Sequence, residues 1–388
     1  METLMKLFKN NIRQYGMIIA LVLIMIFFQI ITGGLLLEPI NITNLILQNS
    51  YILILAIGMV LVIITGHIDL SVGSVAAFVG AVAAVMMVDM QLHPVIAVIA
   101  SLIVGGLIGA WQGFWVAYVR IPAFIVTLAG MLLFRGLTMI VLDGQSISPF
   151  PGGFQKLSSG FVPDFGNTGT NLVAILVGIA FTVIYVINEL RDRKSQKKYN
   201  FDVIPGGLFL LKLVLMAAVI NAFTFMLASY AGLPNILILL LVLIIIYSFV
   251  MNKTVMGRHI YALGGNEKAA ALSGVKTKKV TFWVFVNMGV MAAISGLMFA
   301  ARLNAATPRA GTNFELDAIA ASFIGGASAT GGIGTVFGAI IGGLVMGVLN
   351  NGMSLVGLGI DWQQGIKGLV LLAAVAFDIY NKKKSSAS

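Results

Sequence analysis

Long apolar runs recur along the chain, parted by short polar breaks. A helix needs roughly 17–25 mostly apolar residues to cross the hydrocarbon core of a bilayer. Such runs lie near residues 17–37, 45–65, 71–88, 95–118, 122–141, 171–188, 207–229, 234–250, 280–301, 316–330, 335–351 and 362–380. They predict an all-α, polytopic helical membrane protein of about 12 spans, built as one transmembrane domain over residues 1–388. The runs are continuous rather than alternating at period two, which excludes a transmembrane barrel. The tenth, LDAIAASFIGGASAT, is short and rich in small residues. A broken or re-entrant helix is expected there, of the kind tolerated only where protein or a cavity surrounds it.

Small residues also repeat at helical spacing inside the runs, in IVGGLIGAWQG (103–113) and GAIIGGLVMGVLNNG (338–352). Such patterns let helix backbones approach closely in lipid, so they predict packing rather than chemistry. The polar breaks differ in kind. Residues 142–170 are rich in Gly, Ser and Pro and predict an irregular exposed loop. Residues 189–206, ELRDRKSQKKYNFDVIPG, carry charge without apolar periodicity and predict a basic cytoplasmic loop. Residues 251–279 form a second cytoplasmic segment, in which GGNEKAAALSGVKTKK (264–279) is written for water.

Composition and charge place these segments. The 388 residues are 59% hydrophobic and 10% charged, against about 25% charged in soluble domains. The net charge of +10 does not point to nucleic acid, because its sources sit where cytoplasmic loops collect basic residues. With both termini cytoplasmic, Lys6, Lys9 and Arg13, the 191–198 cluster, the bases of 251–279 and Lys382 to Lys384 all fall inside. An even number of spans satisfies this count. The first run has no small-residue cleavage site and reads as an uncleaved span.

Little of the usual catalytic chemistry is present. The chain has no cysteine, so disulfides and thiolate sites are excluded. It has no G-x-x-x-x-G-K-[S/T] phosphate loop, no H-E-x-x-H and no G-x-S-x-G, and His67, His93 and His259 are scattered. No catalytic, cofactor or metal residues are therefore expected. Ionisable groups in spans usually mark function or buried partners. Asp69, in ITGHIDLSVGSV, is read as a cap for the following helix or as part of a translocation path with Ser71. Arg135 is read as an inward arginine held by carbonyls or a carboxylate, or as a lining group for a polar solute. Lys367, Asp317 and Asp378 lie near predicted span ends, where snorkelling is the cheaper reading. Only Asp69 and Arg135 are charged at membrane depth, which disfavours a secondary, ion-coupled transporter; that remains the alternative reading.

In 264–279, Gly264 and Gly265 break the preceding backbone, Asn266 is a good N-cap and Glu267 suits the positive end of a helix. Ala269, Ala270 and Ala271 favour helix, Leu272 adds one large apolar contact, and Gly274 is a natural stop. A helix of about two turns is marginal in water and gains stability by docking. Its exposed surface is expected to be small and nearly featureless. The bland alternative is an amphipathic helix lying on anionic lipid.

The stretch GRHIYALGGNEKAAALSGVKTKK (257–279) resembles the cytoplasmic coupling loop of bacterial ABC importer permeases for monosaccharides, the ribose, xylose, arabinose and galactoside group. AIGMVLVIITGHIDLSVGSV (56–75), IPAFIVTLAGMLLFRGL (121–137) and ELDAIAASFIGGASATGGIGTVFGAIIGG (315–343) resemble the same family, in the same order. The extra region around 189–230 is similar to the longer xylose-type and multiple-monosaccharide members; without it the count falls to the family's ten spans. His67 departs from the Gly or Glu more often found before IDLS.

The resemblance implies a permease of the bacterial cytoplasmic membrane, paired with a second permease copy and two cytoplasmic ATPase subunits that bind ATP and Mg. An extracytoplasmic sugar-binding protein would deliver the monosaccharide and set much of the specificity. It also implies that Asn266 to Gly274 (Asn266, Glu267, Lys268, Ala269, Ala270, Ala271, Leu272, Ser273 and Gly274) form a coupling helix seated in the ATPase, with Arg258 and the 276–279 lysines flanking it.

Overall fold

The computed structural model describes residues 12–166, 169–201 and 203–386. Lys6 and Lys9 lie outside the described residues, as do the side chains of Arg13, Asp378 and Lys382 to Lys384. The chain divides into two compact units. The larger joins Met1–Leu36, Leu45–Ser159 and Ile236–Ser388; the smaller joins Leu37–Asn44 and Gly160–Asn235.

Helices in the larger unit are α1 (Ile12–Ile31), α2 (Pro39–Ile64, from Leu45 on), α3 (Val72–Ala84), α4 (Pro94–Ala117), α5 (Ala123–Val141) and α6 (Gly152–Ser159). After the smaller unit come α9 (Asn235–Lys253), α10 (Val255–Gly265), α11 (Glu267–Leu272), α12 (Thr277–Leu303), α13 (Phe314–Ile324), α14 (Val336–Leu355) and α15 (Ile360–Ser386). The smaller unit holds α7 (Leu172–Lys198) and α8 (Gly206–Ala228). Among the described residues, 9 helices are long and apolar enough to cross a membrane, which makes the chain a multi-pass membrane protein.

The core of the larger unit forms around α2, whose Ile52, Ile54, Leu55, Ile57 and Met59 are fully buried. Helix α12 is the second pillar, and it meets its neighbours backbone to backbone. A Cβ added to Gly105 of α4 would lie 2.6 Å from the Gly289 carbonyl oxygen, and one on Gly109 would lie 2.9 Å from Val286 Cα. One on Gly296 would lie 2.9 Å from Ala76 Cα of α3. The 338–352 repeat works the same way: Gly342 of α14 faces the 321–325 backbone of α13, and the Phe28 ring of α1 lies on Gly352. In lipid, where no hydrophobic drive brings helices together, such close approach maximises dispersion contact.

The smaller unit is an antiparallel pair with side-chain ties. Asn171 caps α7 by accepting from the Ala174 amide at 2.9 Å, and Asn221 donates to Thr182 Oγ1 at 2.8 Å. Lys212 pairs with Glu189 at 2.7 Å, and the Arg193 guanidinium sits 4.2 Å from the Phe209 ring centroid.

The structure corrects three expectations and bears out a fourth. The first run ends as helix at Ile31, because Gly33 and Gly34 take positive φ. The 142–170 segment contains α6, and its Phe154 is fully buried. Most of the 189–206 loop is helix: α7 continues to Lys198 because ELRDRKSQKK is made of good helix formers with lysines in the last turn. The tenth run is broken, as expected, rather than one helix over 316–330. Helix α13 stops at Ile324, where Gly325 and Gly326 begin a non-helical stretch up to Thr335.

Candidate functional site

Helix α9 ends at Lys253, and Thr254 starts α10 by accepting from the Gly257 amide. One face of α10 buries Gly257, Ile260 and Leu263, leaving Arg258 exposed. The chain turns at Asn266 (φ −161°, ψ 104°), whose carboxamide oxygen accepts from the Ala269 amide at 2.9 Å. Helix α11 then runs for 6 residues. Gly274 closes it at φ +86°, with the Gly274 amide on the Ala271 carbonyl and the Val275 amide on the Ala270 carbonyl, both at 3.0 Å. This pair of bonds is a Schellman stop, which a glycine in the left-handed region completes without strain.

The two faces of α11 differ. Ala270 is 4% exposed and seats the helix on its own chain, whereas Leu272 is 90% exposed. Residues two apart on a helix are rotated by about 200°, so these side chains leave on opposite sides. The exposed surface is therefore not featureless: it presents one leucine, framed by exposed Lys268, Ala269, Ala271 and Ser273.

Glu267, in the first turn of α11, reaches Arg120 in the α4–α5 connection at 2.9 Å. Both side chains are about half exposed, at 54% and 49%, so the pair contributes at most about 1 kcal/mol and acts mainly as a tether. Beside it opens a cavity of about 390 Å³, lined by His67, Arg120, Phe124, Glu267 and Lys278 among others. Burial holds the His67 imidazole below its usual pKa, against the opposing pull of the Glu267 carboxylate. His67 is therefore neutral at pH 7.

The residues read as path candidates differ in their hydrogen-bond partners. Asp69 and Ser71, on the connection between α2 and α3, come together: Asp69 Oδ1 accepts from the Ser71 amide at 2.8 Å and its hydroxyl at 2.6 Å. Gln112 of α4 donates to Ser71 Oγ at 2.7 Å, and all three side chains are at most 2% exposed. Asp69 lies two residues before Ser71, the N-cap of α3, and fixes that residue rather than capping the helix amides itself. Burial raises its carboxyl to about 6, opposed by the two Ser71 hydrogen bonds. Arg135 donates to the Ala310 carbonyl at 2.6 Å, and its charge and that of Asp69 both act on Glu315. Lys367 and Asp317 do not snorkel; they pair with each other at 3.0 Å, and Tyr51 also donates to Asp317 at 3.1 Å. A charge buried beside its counter-charge needs no route to water.

Sequence reasoning missed Gln112, Tyr261 and Glu315, which is buried with Oε2 unpartnered among the described residues. A buried glutamine and a half-buried tyrosine carry no periodicity signal, and their partners lie far away in the chain.

Residues 41–375 match the family described as "Branched-chain amino acid transport system / permease component". The xylose transport system permease protein XylH of Haemophilus influenzae is 42% identical over 98% of this chain and 99% of its own length. The protein of the same name from Escherichia coli K12 is 38% identical over 97% of this chain and 94% of its own. The ribose import permease protein RbsC of Escherichia coli K12 is 35% identical over 89% of this chain and 86% of its own. No solved structure matches the chain significantly.

Proposed function

The chain belongs to this family of transport-system permeases, and on that premise we propose that it is the membrane subunit of an ATP-binding-cassette importer for a monosaccharide of the xylose type. A separate cytoplasmic ATPase drives it, binding the ATP and Mg for which this chain has no phosphate loop. An extracytoplasmic sugar-binding protein delivers the substrate, and a second copy of the chain completes the pore.

The observation that carries this reading is α11. It is short, capped at both ends, seated on its own chain by Ala270, and offers Leu272 outward. Such an element suits a groove on a separate subunit better than a role within one chain. Relatedness to xylose and ribose permeases over nearly the whole length supports the substrate class.

In this reading the chain crosses twelve times with both ends cytoplasmic. The 9 long apolar helices are joined by α1, by α15 and by α13 with its non-helical continuation. The test is uptake of labelled xylose by liposomes containing this chain, its ATPase and binding protein. Uptake that needs internal ATP and survives a proton uncoupler is expected; uptake driven by an ion gradient without ATP would establish the ion-coupled alternative.

A further inference from the structure

Where the arm that carries α11 meets the core, three backbones touch. Ile64 closes α2, and its carbonyl accepts from the Gly332 amide at 2.8 Å. Gly264, near the end of α10, lies directly on this bond. A Cβ there would overlap the Ile64 carbonyl oxygen and lie 2.6 Å from the Gly332 nitrogen. From the other side, a Cβ on Gly331 would lie 2.9 Å from the Gly264 carbonyl oxygen and 3.1 Å from that of Ile64. Gly331 and Gly332 have φ of +81° and +73°, values an L side chain adopts only with strain. Tyr261, one turn before Gly264, donates to the Gly334 carbonyl at 2.8 Å. The Glu267–Arg120 pair fastens the other end of the same arm.

What these contacts connect matters more than their number. Ile64 leads straight into the Asp69–Ser71 connection, which Gln112 ties to α4. Gly331 to Gly334 belong to the non-helical half of the broken α13 segment. Side chains can rearrange to absorb a displacement, but backbones in van der Waals contact cannot.

We propose that Gly264, Gly332 and Tyr261 are positioning residues of a rigid joint: displacement of α11 is passed without slack to the Asp69 connection and to the broken helix. The proposal rests on the coupling role given to α11 above. The joint, not α11 itself, decides whether hydrolysis is converted into sugar movement.

The experiment uses the complete transporter in liposomes and measures sugar moved per ATP hydrolysed. Gly264→Ala is expected to lower that ratio about tenfold while binding-protein-stimulated hydrolysis persists, and Tyr261→Phe about twofold. Gly265→Ala, whose added methyl meets nothing within 4 Å, keeps the wild-type ratio. A purely structural role would instead lower transport and hydrolysis together, in proportion to the complex recovered, and would overturn the proposal.

Should Gly264→Ala not fold, a second arm stands alone. Because the chain has no cysteine, Arg120→Cys with Glu267→Cys can be bridged by a short cleavable bis-thiol linker. Transport that continues when bridged supports a joint closed through the cycle; transport that stops and returns on cleavage refutes it. Leu272→Glu separates the two readings. If it leaves hydrolysis stimulated and transport intact, the coupling role itself fails; if it abolishes both while Gly264→Ala keeps the wild-type ratio, only the joint fails.

Discussion

Helices α2 and α7 have the same mean hydropathy of 2.2 in their most apolar stretch, yet 89% of that stretch is buried in α2 and 11% in α7. Hydropathy therefore finds a crossing without placing it. What separates the two is the material around them. The larger unit closes helix on helix through glycines that face backbone, whereas the α7–α8 pair holds through side chains, with Gly178 opposite the Thr224 side chain. A backbone contact has one geometry; a side-chain contact has several.

The comparison is broken most directly at its two glycines. In Gly289→Ala the new methyl would overlap the Gly105 carbonyl oxygen and lie 2.9 Å from Gly109 Cα. Overpacking of this sort costs about 3 kcal/mol, and the purified chain is expected to melt at a markedly lower temperature in detergent. In Gly178→Ala the Thr224 hydroxyl can turn aside but its Cβ, 2.9 Å away, needs a small helix shift, so the cost is smaller, about 2 kcal/mol. Equal losses for the two would remove the distinction.

Polar groups extend the contrast. Asp69 is 2% exposed and its carboxyl is raised to about 6. An unfolded aspartate titrates near 3.9, so the folded state holds the proton more tightly. Stability is then highest below about pH 4 and falls by about 3 kcal/mol as pH rises through 6. Asp69→Asn should flatten the melting temperature between pH 4 and 7, since its amide oxygen still accepts from Ser71. In the smaller unit, Glu189→Gln removes a pair whose side chains are 24% and 43% exposed. It is expected to change stability by at most about 1 kcal/mol. Asn266→Ala should cost about 1 kcal/mol locally, read as faster amide exchange at Ala269 with the melting temperature unchanged.

Much of this was legible in the chain itself. Apolar run length located the 9 long apolar helices, and the order Asn-Glu-Lys-Ala-Ala-Ala-Leu-Ser-Gly spelled out a cap, a helix and a stop. The small-residue repeats marked the packing faces. Pairings across long separations were not legible: nothing local joins Lys367 to Asp317 or Arg120 to Glu267. The direction of α11 was hidden for a similar reason. Which of Ala270 and Leu272 faces inward depends on how the arm docks, and six residues are too few to show a periodicity. The charged end of α7 misled because charge was read as loop, although Glu, Arg, Lys and Gln favour helix as well.

The central claim is that α11 meets a separate ATPase through Leu272. Leu272→Glu tests it, because that side chain makes no use of its own chain and its replacement leaves the fold intact. The chain should insert at wild-type levels while capture of its ATPase subunit weakens about tenfold or more and xylose uptake is lost. Unchanged capture together with unchanged uptake would contradict the account.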